Sequence, residues 1–245
     1  MADLHIHTAL SPCASDELTP PAIVKTAIER GIEMIAICDH NSARNVRAVQ
    51  EAAEGRLAVM AGMEIMTQEE VHLLGLFPTA EDAESAGEEI AERLPPSKAT
   101  RAFGEQRVMD RNGRVIEMED RLLSAAADVD LSEAIELVHR YFGLAVAAHV
   151  NRPSFSVVSQ LGMFPEDVRF DAIEVFVNGR FAGSEVEWAR WELPMLFSSD
   201  SHSLEEIGTV QTRIRMEAPT FDEFALALRG GEDRGCATSP CTSWT

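Results

Sequence analysis

Histidines and carboxylates recur at the ends of apolar stretches along this chain. The first case is a His-x-His pair, His5 and His7, which closes an apolar segment that begins at residue 3. Because residues two apart in a β-strand point to the same side, both imidazoles are predicted to face one point. Residues of the same kind stand at or near the ends of further apolar stretches, namely Asp39 with His40, Glu64, His72, His149, and Asp200 with His202. The fold of this chain must therefore bring strand ends together.

The alternation of strand-like and helical segments predicts the fold class. Strands that alternate with helices form parallel βαβ units. In an α/β barrel the carboxyl ends of all strands meet at one mouth, whereas an open doubly wound sheet collects ligands only near its switch point. The barrel explains better than the open sheet why residues of metal-binding types occur at so many strand ends. We predict a barrel domain over residues 1–230, with a helical and loop insertion at about residues 79–130, and a loose tail over residues 231–245.

The composition limits the partners that we expect. The formal net charge of −20 over 245 residues argues against broad contact with long nucleic acid or anionic membranes, because such contact needs clustered Lys and Arg. No signal peptide and no bilayer-crossing stretch is visible, and the four cysteines lack Cys-x-x-Cys spacing. These features favour a cytoplasmic protein with reduced thiols. A small phosphorylated substrate, such as a nucleotide or short oligonucleotide, remains compatible with them.

The donor types indicate the chemistry. Imidazoles and carboxylates without thiolates suit Zn, Mn or Fe. The candidates are too many for one ion, so two or three divalent ions are expected. Such a cluster lowers the pKa of a bound water, which yields hydroxide near neutral pH, and it neutralises charge on the attacking and leaving oxygens. Hydrolysis of a phosphate ester is the reaction that this set favours.

Each candidate also has an ordinary explanation when it is taken alone. Asp39 could be a helix N-cap, Glu64 a solvated carboxylate and His72 a satisfied core histidine. These explanations would have to hold independently at every strand end, so the interpretation of all these residues as metal ligands is preferred. His139 lies in the middle of a helical pattern and is left out of the set.

Six segments resemble the PHP (polymerase and histidinol phosphatase) superfamily in order and spacing. They are LHIHT at residues 4–8, AICDHNS at 36–42, MEI at 63–65, HLLGLF at 72–77, AHVNRPSFS at 148–156 and FSSDSH at 197–202. Within that superfamily the chain is most similar to stand-alone metal-dependent phosphoesterases, partly through SPC at 11–13 and LTPPAIV at 18–24. The resemblance implies a distorted (β/α)7 barrel and hydrolysis of small phosphomonoesters or short nucleotide phosphodiesters by a metal-bound hydroxide.

The resemblance also implies roles for particular residues. The first metal would be bound by His5, His7, Glu64 and Asp200, the second by Glu64, His72 and His149, and the third by Asp16, His40 and His202. The hydroxide would be held by Glu64, His7 and Asp200. The loop that carries Asp16 also offers Glu17, and a third metal requires that one of the two reaches the site. Asp39 would orient a ligand.

Contacts to the substrate are expected from cations and amides near the same mouth. Arg152 follows His149 by three residues and could grip a phosphate in bidentate fashion, although a structural ion pair is the alternative. Asn151 is a further candidate. Arg101 and Gln106, together with Arg107, lie in the insertion, where they either close over the substrate or belong to a solvated loop.

Three other functions remain open from the sequence. A histidinol-phosphate phosphatase belongs to the same superfamily. A non-catalytic metal-binding accessory protein would show degraded ligand positions, and here nearly all of them are filled. An amidohydrolase would usually need a carboxylated lysine at a strand end, and no lysine stands in such a place.

Overall fold

A seven-stranded curved sheet forms the centre of the molecule. The computed structural model describes residues 1–96, 104–177, 189–231 and 233–242. The sheet contains, in spatial order, β1 (Ala2–Ile6), β2 (Met34–Ile37), β3 (Ala58–Met66), β4 (His72–Phe77), β7 (Leu144–Ala147), β8 (Ala172–Glu174) and β9 (Met195–Leu196). A parallel bridge between Ile6 and Ser201 connects β1 to the segment after β9, so the sheet is nearly closed. The predicted distorted (β/α)7 barrel is confirmed.

One strand runs against the others, which the prediction of parallel units did not anticipate. β4 is antiparallel to both β3 and β7, whereas the remaining neighbours are parallel. Residues 67–71 between β3 and β4 are too few for a crossover helix, and the backbone N–H of Thr67 donates to the carbonyl of Val71 at 3.0 Å. His72 therefore pairs with Met66, at the barrel end where β3 finishes.

Helices cover the outer face of the sheet. They are α1 (Pro20–Glu29), α2 (Val46–Ala53), α3 (Ala80–Glu92), α4 (Leu131–Arg140) and α5 (Val157–Leu161), whereas α6 (Phe221–Arg229) packs against the inner face. Asp130 and Glu133 form a capping box that fixes the start of α4. Apolar side chains of α1 to α4 share one buried cluster with alternate residues of the strands, such as Ile35 and Ile37. None of the helices in the described part of the chain is long and apolar enough to cross a membrane.

The inner face of the sheet forms a second, smaller core. Met34, Ala36 and Cys38 of β2 lie in it, and Phe224 and Leu228 of α6 belong to the same cluster. Polar residues of the same strand parity, such as His40, Glu64 and His72, lie at the opposite end of this face, because successive side chains of a strand alternate between its two sides. The polar mouth and the apolar core are therefore two ends of one barrel interior.

The predicted insertion divides into two parts. α3 is part of the helical layer, since Ala83, Ala86 and Ile90 lie in the outer core cluster. The departure from the barrel pattern follows α3 and includes a hairpin of β5 (Arg107–Met109) and β6 (Val115–Met118). The β6 strand is exposed along its length.

The carboxyl-terminal tail is paired and not loose over its described part. β12 (Gly235–Cys236) pairs with β11 (Ile214–Arg215), and β13 (Cys241–Thr242) pairs with β10 (Val210–Gln211). The Arg234 guanidinium, with its side chain 11% exposed, forms ion pairs with Glu217 and Glu223 at 2.8 Å. The Gly- and Ser-rich composition gave no sign of these pairings, which depend on partners 20 or more residues upstream.

Candidate metal centre

Glu64 is the centre of the polar mouth. Five imidazole nitrogens lie within 3.5 Å of its carboxylate: Nδ1 of His72 at 2.8 Å, Nδ1 of His40 at 3.0 Å, Nε2 of His149 at 3.2 Å, Nε2 of His5 at 3.4 Å and Nε2 of His7 at 3.5 Å. These histidines come from the ends of β1, β2 and β7 and from the start of β4. Their convergence on one buried carboxylate is the result of barrel closure.

Asp200 provides a second carboxylate beside the imidazoles of His5 and His7. Its Oδ1 lies 3.2 Å from Nε2 of His7, 3.3 Å from Nε2 of His5 and 3.7 Å from Nδ1 of His202. Asp200 has a φ of 50° and His149 a φ of 29°, a conformation that non-glycine residues adopt at a cost. The structure thus brings together all predicted metal ligands except Asp16.

A buried nitrogen of His5 indicates that the site is built for ions. Nε2 of His5 makes no hydrogen bond within the described residues and lies 3.4 and 3.3 Å from the carboxylates of Glu64 and Asp200. Burial of an unsatisfied polar nitrogen is costly, and a metal ion accepts the lone pair that water cannot reach. Ligand atoms lie within 4.8 Å of one another in three groups, which are His5, His7 and Asp200; His40, Glu64 and His72; and His7, His40 and His202. The residues present fit two or three divalent ions.

At Glu64 and His7 the electrostatics favour the protonation states that metal binding needs, whereas at His5 and His40 the neighbouring acidic groups outweigh the lowering effect of burial and raise the pKa. Burial opposes the ionisation of Glu64, but the imidazoles of His72, His5 and His40 hold the pKa of this carboxyl well below its usual range. Burial lowers the pKa of His7 well below its usual value, and the nearby His202 acts in the same direction. An ionised carboxylate and a neutral imidazole are the ligand forms of these groups.

Asp39 acts on the ligands through Ser11. Its carboxylate accepts hydrogen bonds from the backbone N–H of Thr8 at 2.8 Å, the Thr8 hydroxyl at 2.7 Å and the Ser11 hydroxyl at 2.7 Å. The Ser11 Oγ lies 2.9 Å from Nδ1 of His7 and accepts the backbone N–H of His40 at 3.2 Å. This chain of contacts orients the His7 ring, as the sequence predicted in outline.

Sequence reasoning missed two buried acids. Glu174 lies beside His5 and His149, and its only signal was its place at the end of β8. The Asp3 carboxylate accepts hydrogen bonds from the Ser199 hydroxyl at 2.6 Å, from the backbone N–H of Ser199 at 3.0 Å and from that of Gly208 at 2.7 Å, which fastens β1 to the segment after β9. Burial raises the pKa of Asp3 to about 6. The sequence feature that could have identified Asp3 is its position two residues before His5.

Asp16 does not reach the cluster. Its side chain is 57% exposed and forms an ion pair with Nη2 of Arg107 at 2.7 Å, and Glu17 is exposed as well. The Sγ of Cys13 lies instead 3.2 Å from Nε2 of His40. Burial raises the pKa of Cys13, but hydrogen bonds with His202 and His40 outweigh it and bring the pKa down to about 6.

Arg152 stands at the mouth and pairs with a predicted ligand. Its Nη1 lies 2.6 Å from Oδ2 of Asp200, and its guanidinium lies 4.0 Å from the centre of the Phe176 ring. The side chain is 29% exposed, so it is accessible from solvent. Both the ion pair and the position at the mouth that the sequence offered as alternatives are therefore present together.

The other predicted substrate contacts have structural roles or fall outside the described residues. The side chain of Asn151 binds the backbone of Phe176 in both directions, at 2.7 and 2.8 Å. Gln106 is buried and binds the backbone of Glu119, Arg121 and Leu123, so it holds the insertion together and does not close over a substrate. Arg101 lies outside the described residues.

Comparisons of the sequence identify the family. Residues 3–162 match the PHP domain, and residues 186–232 match the PHP-associated domain. The uncharacterized protein MJ1587 of Methanocaldococcus jannaschii is 30% identical over 186 residues, which cover 71% of this chain and 80% of that protein. The uncharacterized protein YqxK of Bacillus subtilis is 25% identical over 266 residues, 95% of this chain. The chain spans 62% of the length of YqxK.

A third relative has a named activity. A phosphoribosyl 1,2-cyclic phosphate 1,2-diphosphodiesterase of Eggerthella lenta is 29% identical over 142 residues, which cover 55% of this chain and 47% of that protein.

Solved structures share the fold. The lesion-specific endonuclease PfuEndoQ of Pyrococcus furiosus superposes with a TM-score of 0.71 at 20% identity, over 96% of this chain and 57% of that one. A protein proposed to be a metal-dependent phosphoesterase, from Bifidobacterium adolescentis, gives a TM-score of 0.55 at 21% identity, over 82% of this chain and 87% of that one. With the barrel, the histidine-rich mouth and the match to residues 3–162 in agreement, the chain belongs to the PHP domain family.

Proposed function

We propose that the protein is a metal-dependent phosphoesterase that hydrolyses a small phosphomonoester or a short nucleotide phosphodiester. The observation that carries this proposal is the convergence of five imidazoles on Glu64, with Asp200 beside them. Divalent ions bound there would supply Lewis acidity and an activated water. A site with two buried carboxylates needs such cations before it can accept an anionic phosphate.

Arg152 is the side chain that we assign to phosphate binding. It is held over Phe176 and beside Asp200, yet its side chain keeps 29% exposure. A guanidinium in this position can donate two hydrogen bonds to phosphate oxygens while its stem remains fixed by the ring. Its charge also offsets that of Asp200, which reduces the repulsion that an incoming phosphate meets.

An exposed aromatic ring beside the centre supports a substrate that contains a planar group. The ring of Phe155 is stacked on His72 with 4.9 Å between centroids and an angle of 13°, and Phe155 is 38% exposed. A nucleobase that stacks on such a ring gains about 1–3 kcal/mol. This observation favours a nucleotide over a ring-free phosphate ester.

A substrate panel tests the proposal. The protein, loaded in turn with Mn, Zn or Fe(II), is assayed with nucleoside monophosphates, dinucleotides, glycerol phosphate, histidinol phosphate and a ribose 1,2-cyclic phosphate. A DNA duplex with an abasic site completes the panel, because the fold is shared with PfuEndoQ and with an Endonuclease Q that was solved in complex with such a duplex. We expect turnover of a small ester that a chelator abolishes and added metal restores.

Two variants and one surface control make the test specific. Glu64→Ala should abolish turnover, whereas Glu166→Ala, at an exposed position, should leave it unchanged. Phe155→Leu should raise KM for the nucleotide and leave KM for glycerol phosphate unchanged. Turnover of histidinol phosphate alone would replace the proposal with the phosphatase alternative, and a metal-loaded protein without turnover on any substrate would contradict enzymatic function.

A further inference from the structure

Cys13 faces the side of the histidine cluster that Asp16 leaves empty. Its Sγ lies 3.2 Å from Nε2 of His40. His40 and His202 belong, with His7, to one of the groups whose ligand atoms lie within 4.8 Å of one another. A sulfur atom thus lies beside one imidazole of this triad.

The loop that carries Cys13 is anchored to these same histidines. The backbone N–H of Ser15 donates to the carbonyl of His202 at 2.8 Å, and the backbone N–H of His40 donates to the Ser11 hydroxyl at 3.2 Å. The backbone N–H of Ala14 closes a turn onto the carbonyl of Ser11 at 3.0 Å. With both sides of the segment fixed, the position of the thiol relative to the imidazoles follows from the loop backbone.

We propose that the Cys13 thiolate is a ligand of the third metal site, together with His40 and His202. This inference rests on the metal centre of the proposed function, and it replaces the expected donor set of imidazoles and carboxylates alone. A tetrahedral ion with a bond of about 2.3 Å to sulfur and about 2.0 Å to nitrogen places the two donors roughly 3.5 Å apart. The observed separation of 3.2 Å is within a few tenths of an ångström of this value.

The sulfur donor changes which ion the site selects. Oxygen and nitrogen donors accept Mn, whereas a thiolate favours softer ions such as Zn. We therefore expect the third site to retain zinc under conditions in which the other sites exchange it for manganese. In practice, the protein should keep a zinc fraction after dialysis against manganese, and Cys13→Ser should lose that fraction.

Cobalt substitution tests the assignment without reference to activity. The metal-free protein is titrated with Co(II), and the thiolate-to-cobalt charge-transfer band is followed in the near ultraviolet. We expect this band in the wild-type protein and in Cys236→Ser, whose cysteine lies on β12. Cys13→Ser should lose the band, and Cys13→Asp should bind cobalt without it. Cys13 is exposed, so neither substitution disturbs a packed core.

The outcomes separate this inference from the proposed function. Cobalt bound at stoichiometric amounts without the band in the wild-type protein, or a band that persists in Cys13→Ser, would overturn the thiolate ligand and leave the phosphoesterase proposal standing. Failure to bind any cobalt or zinc would overturn both. X-ray absorption at the zinc edge of the wild-type protein gives an independent reading, since a sulfur neighbour at about 2.3 Å is required.

Discussion

The carboxylate of Glu174 lies 3.1 and 3.2 Å from Nδ1 of His5, on the side of the imidazole opposite Glu64. The same carboxylate accepts the backbone N–H of His149 at 3.1 Å. Glu174 therefore fixes the ring of one proposed ligand and the backbone of another. Because its contact occupies Nδ1 of His5, the Nε2 atom is left to face the centre of the site.

Glu174→Gln should weaken metal binding without unfolding the barrel. The amide removes the negative charge beside Nδ1 of His5 and replaces one of the two oxygens that contact this nitrogen with an NH2 group. Loss of such an orienting contact usually weakens metal affinity by about 10- to 100-fold. Competition with a chelator of known affinity measures the change, and Glu166→Gln is the surface control. Equal affinities of Glu174→Gln and wild type would remove Glu174 from the set of positioning residues.

Arg152→Met should reduce kcat/KM and leave metal content unchanged. The methionine keeps much of the stem over Phe176 but removes the charge, and a hydrogen bond to a charged group contributes about 1.5–3 kcal/mol, or roughly 10- to 100-fold in rate. The matched control is Arg140→Met, because Arg140 pairs with Glu89 at the surface. If Arg152→Met lost metal and activity in parallel, Arg152 would instead be a structural partner of Asp200.

The sequence predicted the barrel and most of the site because the proposed ligands follow recognisable strands. His5, His40 and Asp200 each stand at the end of an apolar run, and the strand ends of a barrel converge, which brings these side chains together. His72 was found in the same way, although for a different reason, since β4 runs in the opposite direction and presents its first residue at the mouth.

The site residues that the sequence predicted wrongly or missed depend on tertiary contacts, which no local sequence pattern contains. Asp16 turns outward because Arg107, 91 residues away, pairs with it, and the turn of the same loop presents Cys13 to His40. Gln106 is a polar residue of a type that often contacts substrates, but its side-chain amide hydrogen-bonds with backbone groups of the segment that follows β6. Tertiary partners decide such cases, and they are not visible in one sequence.

Gly104→Ala should destabilise the protein more than Gly55→Ala. Both glycines have positive φ, 101° and 74°, so each substitution carries backbone strain of about 1–2 kcal/mol. A Cβ at Gly104 would also lie 1.9 Å from the carbonyl oxygen of Pro12, next to Cys13, whereas Gly55 has nothing within 4 Å. Urea unfolding measures both. Equal losses would mean that the loop around Pro12 yields freely, and a changed metal content in Gly104→Ala alone would connect this contact to the site.

Glu119 holds the segment after β6 through two arginines. Its side chain is 4% exposed, and its carboxylate accepts Nη2 of Arg121 at 2.7 Å, Nε of Arg121 at 2.8 Å and Nη1 of Arg44 at 3.1 Å. Burial opposes its ionisation, but the hydrogen bonds from Arg121 and Arg44 outweigh it and lower the pKa of Glu119 to about 2.

Glu119→Gln should therefore cost stability in a manner that depends on pH. A carboxyl with a folded-state pKa near 2 and an unfolded pKa near 4.5 stabilises the fold fully above pH 4.5 and loses that contribution as pH falls toward 2. Because the arginines are partly solvated, we expect about 1–2 kcal/mol at neutral pH. Urea unfolding of both proteins at neutral pH and at about pH 3.5 measures a difference that shrinks on acidification. Glu117→Gln, at an exposed partner of Arg44, should change stability little, and a pH-independent loss in Glu119→Gln would contradict the ion-pair account.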